Sequence, residues 1–301
     1  MSIRPVKQVI TAQPHVEGAG VKLHRGFGFG KTDEFDPFLL FDDFRNERPD
    51  DYLAGFPWHP HRGIETITYV LAGTVAHGDS LGNRGSLGAG DVQWMTAGSG
   101  IMHQEMPQGD AQGRMHGFQL WANLPRALKM TAPRYQDIAA SDIPEITDDD
   151  GTHVRVVVGE FWGRKGPVEG VAADPRYLDI SVAPGRTKRL AVESSRHAFA
   201  YVFAGSGTFR DASKPLPVQT ELVGVSDEAK PSMLGNRSLV LFDSGDEITV
   251  TAGVEGIRFL LISGRPLEEP VAWYGPIVMN SRSELQQAYA ELQNGTFIKH
   301  R

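Results

Sequence analysis

Apolar residues in this chain fall in short runs separated by clusters of glycine, asparagine, aspartate and proline. The runs at 65–71, 91–95, 118–122, 154–158, 177–182, 198–203, 238–242 and 258–262 have the length and spacing of strands in an all-β barrel or sandwich. A helical period shows only near the end, where serines at 281 and 283 offer a cap and 284–293 continues with helix formers. Leu285, Ala288, Tyr289 and Leu292 then share one stripe, and Gly295 stops the helix.

The pattern also repeats. Tyr69-Val-Leu-Ala-Gly73 returns as Tyr201-Val-Phe-Ala-Gly205, 132 positions on. Gly90-Asp91 and Thr96-Ala97-Gly98 return as Gly245-Asp246 and Thr251-Ala252-Gly253, 155 positions on. The second copy therefore carries about 23 additional residues, which the polar, proline-containing stretch 212–236 accommodates. Two tandem β-barrels follow: an N-terminal one over 1–137, a solvated acidic linker over 138–151 that includes Asp148, Asp149 and Asp150, and a C-terminal one over 152–301 that ends in the helix.

Composition narrows the chemistry more than the fold. With 301 residues, 40% hydrophobic and 22% charged, the chain can bury two cores of ordinary size. A net charge of -7 argues against a polyanion-binding surface over the whole molecule and leaves room only for a local basic patch. There are no cysteines, which excludes disulfides, thiolate zinc sites, iron–sulfur clusters and cysteine nucleophiles. Residues 1–10 lack the apolar core of a signal peptide, and no stretch approaches the roughly 18 apolar residues of a spanning helix. The expected address is the cytoplasm, with no membrane contact.

Any metal must then use nitrogen and oxygen ligands, and two segments supply them. In His59-Pro-His61-Arg-Gly-Ile-Glu65, at the start of a strand, alternation puts both histidines on one face. In Gly98-Ser-Gly-Ile-Met-His103-Gln-Glu105 the same period pairs His103 with Glu105. Three imidazoles and a carboxylate suit iron, nickel, copper or zinc rather than calcium or magnesium, and leave open positions on an octahedral ion for substrate or dioxygen. Spacing does not choose among the four metals. Glu65 could be a ligand, a partner that orients an imidazole, or a satisfied buried carboxylate; the orienting role is expected. Phe56, Trp58, Met102, Phe118 and Trp121 could line a pocket for a flat ligand or fill the barrel core. His116 could lie near the metal or be a hydrogen-bonded core histidine.

With these residues in hand, the chain resembles the pirin family of the cupin superfamily, through Trp58-His-Pro-His-Arg-Gly-Ile-Glu65-Thr, Gly98-Ser-Gly-Ile-Met-His-Gln-Glu105 and Met115-His-Gly-Phe-Gln-Leu-Trp121-Ala-Asn-Leu-Pro125. The likeness extends to Asp36-Pro-Phe-Leu-Leu-Phe-Asp-Asp-Phe44 and to Gly275-Pro-Ile-Val-Met-Asn280. It implies two antiparallel cupin (jelly-roll) β-barrels packed face to face, with one Fe(II) in the N-terminal barrel held by His59, His61, His103 and Glu105. The C-terminal barrel departs from a metal-binding pattern: Ala191, Glu193, Arg258 and Leu260 stand at the matching positions, or Phe259 and Leu261 with a one-residue slip. There, His197 and Glu193 read as an isolated pair.

The resemblance further implies a quercetin 2,3-dioxygenase-type oxidoreductase acting on a flavonol and dioxygen, with Glu105 as ligand and base. The competing expectation is a redox-responsive regulator that acts through a protein partner. Direct DNA binding is the weakest version of that role, because the chain is acidic and carries no DNA-reading motif.

Overall fold

The computed structural model describes residues 2–210 and 232–300, so most of the expected insertion at 212–236 lies outside the described residues. The first half of the chain forms β1 (Val6–Thr11), β2 (Gln13–Glu17), β3 (Val21–Phe27), β4 (Phe38–Asp43), β5 (Phe56–His61) and β6 (Ile64–Ala72). It continues with β7 (Thr74–Asp79), β8 (Arg84–Leu87), β9 (Val92–Thr96), β10 (Ile101–Gln108), β11 (His116–Asn123) and β12 (Arg134–Ile138). Every run that the sequence marks as a strand is one. The expected helix spans Arg282–Gln293; the Ser281 hydroxyl caps it by accepting from the Glu284 amide at 3.3 Å, and Gly295 follows with φ of 70°.

Two compact units divide the chain, each an antiparallel β structure as expected of cupin domains. The first contains a seven-stranded sheet in the order β12-β9-β6-β11-β4-β3-β2 and a four-stranded sheet in the order β5-β10-β7-β8. Val21, Leu23, Phe44, Tyr52, Val70, Val75, Leu87 and Met115 form one apolar cluster in it. Leu39, Ile64, Met95, Ala97, Ile101 and Val278 form another. The second unit is built on a sheet ordered Val6–Thr11, Ser238–Phe242, His197–Phe209, Glu247–Gly264, Arg176–Val182, His153–Val158 and Glu145–Thr147. Gly73 and Gly205, which end the two copies of the repeat, both take left-handed backbone with φ of 77° and 63°.

The units interleave along the chain, unlike the linear division into 1–137, 138–151 and 152–301. Residues up to Thr11 belong with Glu145–Arg155 and Tyr177–Ser263; Ala12–Pro144 belongs with Val156–Arg176 and the chain from Gly264 on. Backbone pairing explains the first exchange, since β1 runs antiparallel to Ser238–Phe242 and Arg4 is buried with its guanidinium donating to the carbonyls of Asp243, Glu193 and Arg196. The stretch 138–151 is no plain linker: it holds a 3-10 turn at Ala140–Asp142 and the strand Glu145–Thr147, paired with His153–Val158.

The tail returns to the first unit for equally local reasons. Val278 is buried beside Leu39 and Ile64, and its amide donates to the carbonyl of Arg62 at 3.1 Å. The buried Arg62 guanidinium donates to Glu291 at 2.8 Å and to the Phe297 carbonyl at 2.8 Å, and lies over the Phe297 ring. Gly63, with φ of 76°, turns β5 into β6 so close to the Val278 carbonyl that a Cβ would collide with it. No helix among the described residues is long and apolar enough to cross a membrane.

Candidate metal centre

Strands β5 and β10 lie side by side, with His103 directly opposite His59 and Ile101 opposite His61. Alternation along β5 carries both of its histidines to the face that His103 occupies. The three residues offer nitrogen atoms that all lie within 4.8 Å of one another, the one group of three such ligands among the described residues. His61 and His103 are buried and His59 is half-buried.

Main-chain carbonyls set the tautomer of two of these rings. The Nδ1 of His59 lies 2.8 Å from the Pro57 carbonyl, and that of His61 lies 3.3 Å from the Pro276 carbonyl. A carbonyl only accepts, so each Nδ1 carries the proton and each Nε2 presents a lone pair. Those two Nε2 atoms are 3.1 Å apart. Both nitrogens of His103 are buried without a hydrogen-bond partner. Burial, aided by the neighbouring imidazoles, holds His61 and His103 well below the ordinary histidine range and keeps them neutral. Converging lone pairs with no donor between them fit a borderline divalent cation.

Glu105 stands outside the three-nitrogen group but opens onto the same cavity as His59 and His61. The ladder shifts register between His103 and Glu105, which brings Glu105 opposite Phe56. Its Oε1 accepts from the Thr68 hydroxyl at 2.9 Å and its Oε2 from the Gln119 amide at 3.1 Å. Thr68 on β6 and Gln119 on β11 are cross-strand partners, so two neighbouring strands hold one carboxylate. The cavity has a volume of about 550 Å³, and Phe56, Trp121, Trp273 and Pro276 form part of its wall.

Of the residues for which the sequence leaves pocket and core both open, Trp58, Met102, Phe118 and His116 lie away from this cavity. Trp58 is 53% exposed, one position out of phase with His59. Met102 pairs with Pro60, on the face of β10 turned from His103. Phe118 is buried 5.8 Å from the Phe41 ring, and His116 packs 5.2 Å from Phe118 with its Nε2 4.0 Å from Asp43. Phe118 and Trp121 are an odd number of residues apart on β11, so a regular strand sends them to opposite faces. Trp121 faces the cavity, with its ring 5.1 Å from that of His61.

Glu65 likewise turns from the imidazoles. It is opposite Thr96 and Ala122 on the sheet, three positions from Thr68 and out of phase with it, and its Oε1 accepts from the Thr96 hydroxyl at 2.8 Å. The reading of Glu65 as a residue that orients an imidazole therefore finds no contact of that kind; the Nδ1 of His61 meets a main-chain carbonyl from the tail instead. Sequence reasoning missed Thr68, Gln119, Trp273 and the Pro276 carbonyl. The first two carry a local signal, being polar in buried strands; the tail residues carry none. In the second unit Arg258 makes a two-pronged ion pair with Asp179 at 2.9 and 2.7 Å, and Glu193 lies 3.2 Å from Arg196 Nε. Neither is a metal-binding arrangement.

Comparison with known proteins agrees with this architecture. A pirin-like protein of Caulobacter vibrioides is 42% identical over 99% of this chain and 100% of its own length. A protein of Pseudomonas aeruginosa, provisionally named a quercetin 2,3-dioxygenase, is 39% identical over 97% of each chain. The crystal structure of quercetin 2,3-dioxygenase from Acinetobacter baumannii superimposes with a TM-score of 0.84 at 30% identity, covering 98% of this chain and 99% of its own. Residues 20–122 match the Pirin family and residues 177–298 the Pirin C-terminal cupin domain. On fold, identity over nearly the full length and both domain matches, the chain belongs to the pirin family.

Proposed function

We propose that His59, His61, His103 and Glu105 hold one divalent transition metal, Fe(II), and that the protein is a dioxygenase which opens the heterocycle of a flavonol such as quercetin. The observation that carries this reading is the pair of Nε2 lone pairs 3.1 Å apart beside a His103 that has no hydrogen-bond partner. The likeness to a quercetin 2,3-dioxygenase supports the substrate class. Nickel, copper and zinc satisfy the same donor set, and metal analysis separates them.

When bound, such a metal supplies Lewis acidity toward the 3-hydroxyl of the flavonol and a place for dioxygen beside it. The chain's own residues do the rest. Glu105 accepts the 3-hydroxyl proton, and Thr68 and Gln119 keep its carboxylate aimed at the cavity. Phe56, Trp121 and Trp273 flank the flat rings and exclude water. A volume of about 550 Å³ lies within the range that holds a ligand of this size. In the overall reaction both oxygen atoms of dioxygen enter the ester product, and the ring carbon that bore the 3-hydroxyl leaves as carbon monoxide.

The test is metal analysis of protein purified without added metal, then anaerobic ferrous loading and oxygen uptake with quercetin. One iron per chain with quercetin-dependent uptake, lost in His61→Ala, supports the proposal. Bound iron without uptake refutes the dioxygenase and favours redox-dependent regulation through a protein partner. In Glu105→Gln, retained metal with abolished turnover fits the base assignment, and unchanged turnover removes it.

A further inference from the structure

A row of polar side chains crosses the inner face of the seven-stranded sheet. Arg25 on β3 is opposite Asp42 on β4, Asp42 is opposite Gln119 on β11, and Gln119 is opposite Thr68 on β6. All four open onto the cavity that contains His59, His61 and Glu105. Glu105 accounts for Thr68 and Gln119, whose side chains it engages. It does not account for the other end, where a buried carboxylate and a guanidinium face a largely apolar chamber, an arrangement that is costly to bury without purpose.

The bonds at that end define what it can receive. Arg25 gives its Nε to Asp42 Oδ1 at 2.8 Å and its Nη2 to Asp42 Oδ2 at 2.7 Å and to Glu17 Oε1 at 2.9 Å. Its Nη1 is 2.9 Å from His15 Nε2. The guanidinium is thus largely used up and serves to hold two carboxylates at the cavity wall. Each carboxylate keeps acceptor capacity, since it has about four acceptor sites. Carboxylate oxygens rather than cationic donors face the cavity here, an arrangement that disfavours an anionic ligand and favours a neutral donor. Asp42 is one strand and Arg25 two strands from Gln119, about 5 and 10 Å at ordinary strand spacing. That is the reach from one ring of a flat, multi-ring ligand to the next.

We infer that Asp42 and Glu17, held by Arg25, form a second recognition pole that accepts hydrogen bonds from ring hydroxyls of the ligand, remote from the metal-binding edge. The pole selects neutral polyhydroxylated aromatics over bare or carboxylated ones. This rests on the flavonol reading of the same cavity and deepens it.

Anaerobic calorimetric titration with quercetin and with 3-hydroxyflavone tests the inference, because both carry the 3-hydroxyl and only quercetin has further ring hydroxyls. The wild type should bind quercetin about tenfold or more tightly, the scale of a hydrogen bond to a charged acceptor. Asp42→Asn should reduce that preference to about threefold or less while leaving 3-hydroxyflavone affinity unchanged. Glu17→Gln, at a more exposed position, should weaken the preference and provides the readout if Asp42→Asn does not fold. Equal affinities in the wild type, or an undiminished preference in the folded variants, overturn the pole and leave the flavonol reading standing. Binding of neither compound overturns both.

Discussion

Replacing Glu65 by glutamine separates a carboxylate that serves the metal from one that is a cost of the fold. Glu65 is 1% exposed, and its Oε1 accepts from the Thr96 hydroxyl. Burial pushes its carboxyl up to about 7, against the opposing pull of Thr96, Trp94, the Ala172 backbone and Arg134. The ordinary value is 4.5, so the folded chain holds this proton more tightly than the unfolded one. Its favourable contribution is complete below pH 4.5 and is lost as pH rises through 7. A displacement from 4.5 to about 7 corresponds to roughly 3 kcal/mol. Glutamine keeps the shape and stays neutral. The variant should therefore match the wild type within about 1 kcal/mol near pH 4.5 and exceed its stability by about 3 kcal/mol above pH 8. Urea unfolding of both proteins at a series of pH values measures this, because their difference cancels every group they share. A difference that stays flat between pH 5 and 8 would refute the buried-proton argument. A tenfold fall in metal affinity would restore the orienting role, as outer partners of metal-bound histidines behave that way.

Other expectations follow from the same contacts. Thr68→Val removes a donor to Glu105 worth about 1.5–3 kcal/mol as a bond to a charged group; quercetin turnover should fall about tenfold or more while metal content, measured on the same sample, stays near wild type. His61→Ala should abolish the metal-binding heat in a calorimetric titration of the metal-free protein, since it removes one of three converging nitrogens. Glu291→Gln removes the charge partner of the buried Arg62, which keeps its bond to the Phe297 carbonyl, and should destabilise the docked tail by about 1–3 kcal/mol, read as faster proteolysis of the C-terminal helix. Burial pushes the Glu291 carboxyl up, but hydrogen bonds from Lys299, Arg62 and Gln287 outweigh it and hold it at about 2. The clasp should thus be fully formed above pH 4.5 and be lost only as pH falls toward 2.

What the sequence made legible is what a single strand encodes. Alternation within β5 puts His59 and His61 on one face, and the short runs and serine-capped helix locate the elements. The same rule, carried one step further, separates Trp58 and Met102 from their histidine neighbours, Phe118 from Trp121, and Glu65 from Thr68; residue type alone leaves pocket wall and core open for these side chains, and phase separates them. Strand exchange between the units and the return of the tail depend on pairings between residues more than 200 positions apart, such as Val6 with Phe242 and Arg62 with Ile277. No local pattern announces them. Their effect on the site is nonetheless direct: the Pro276 carbonyl fixes the His61 tautomer, and Trp273 closes a wall near Trp121 at a ring separation of 6.1 Å. Removing the chain from Gly264 on would take away the carbonyl that holds the proton on His61 Nδ1 and leaves Nε2 free, so a segment that reads as an appendage of the second unit belongs physically to the candidate metal centre of the first.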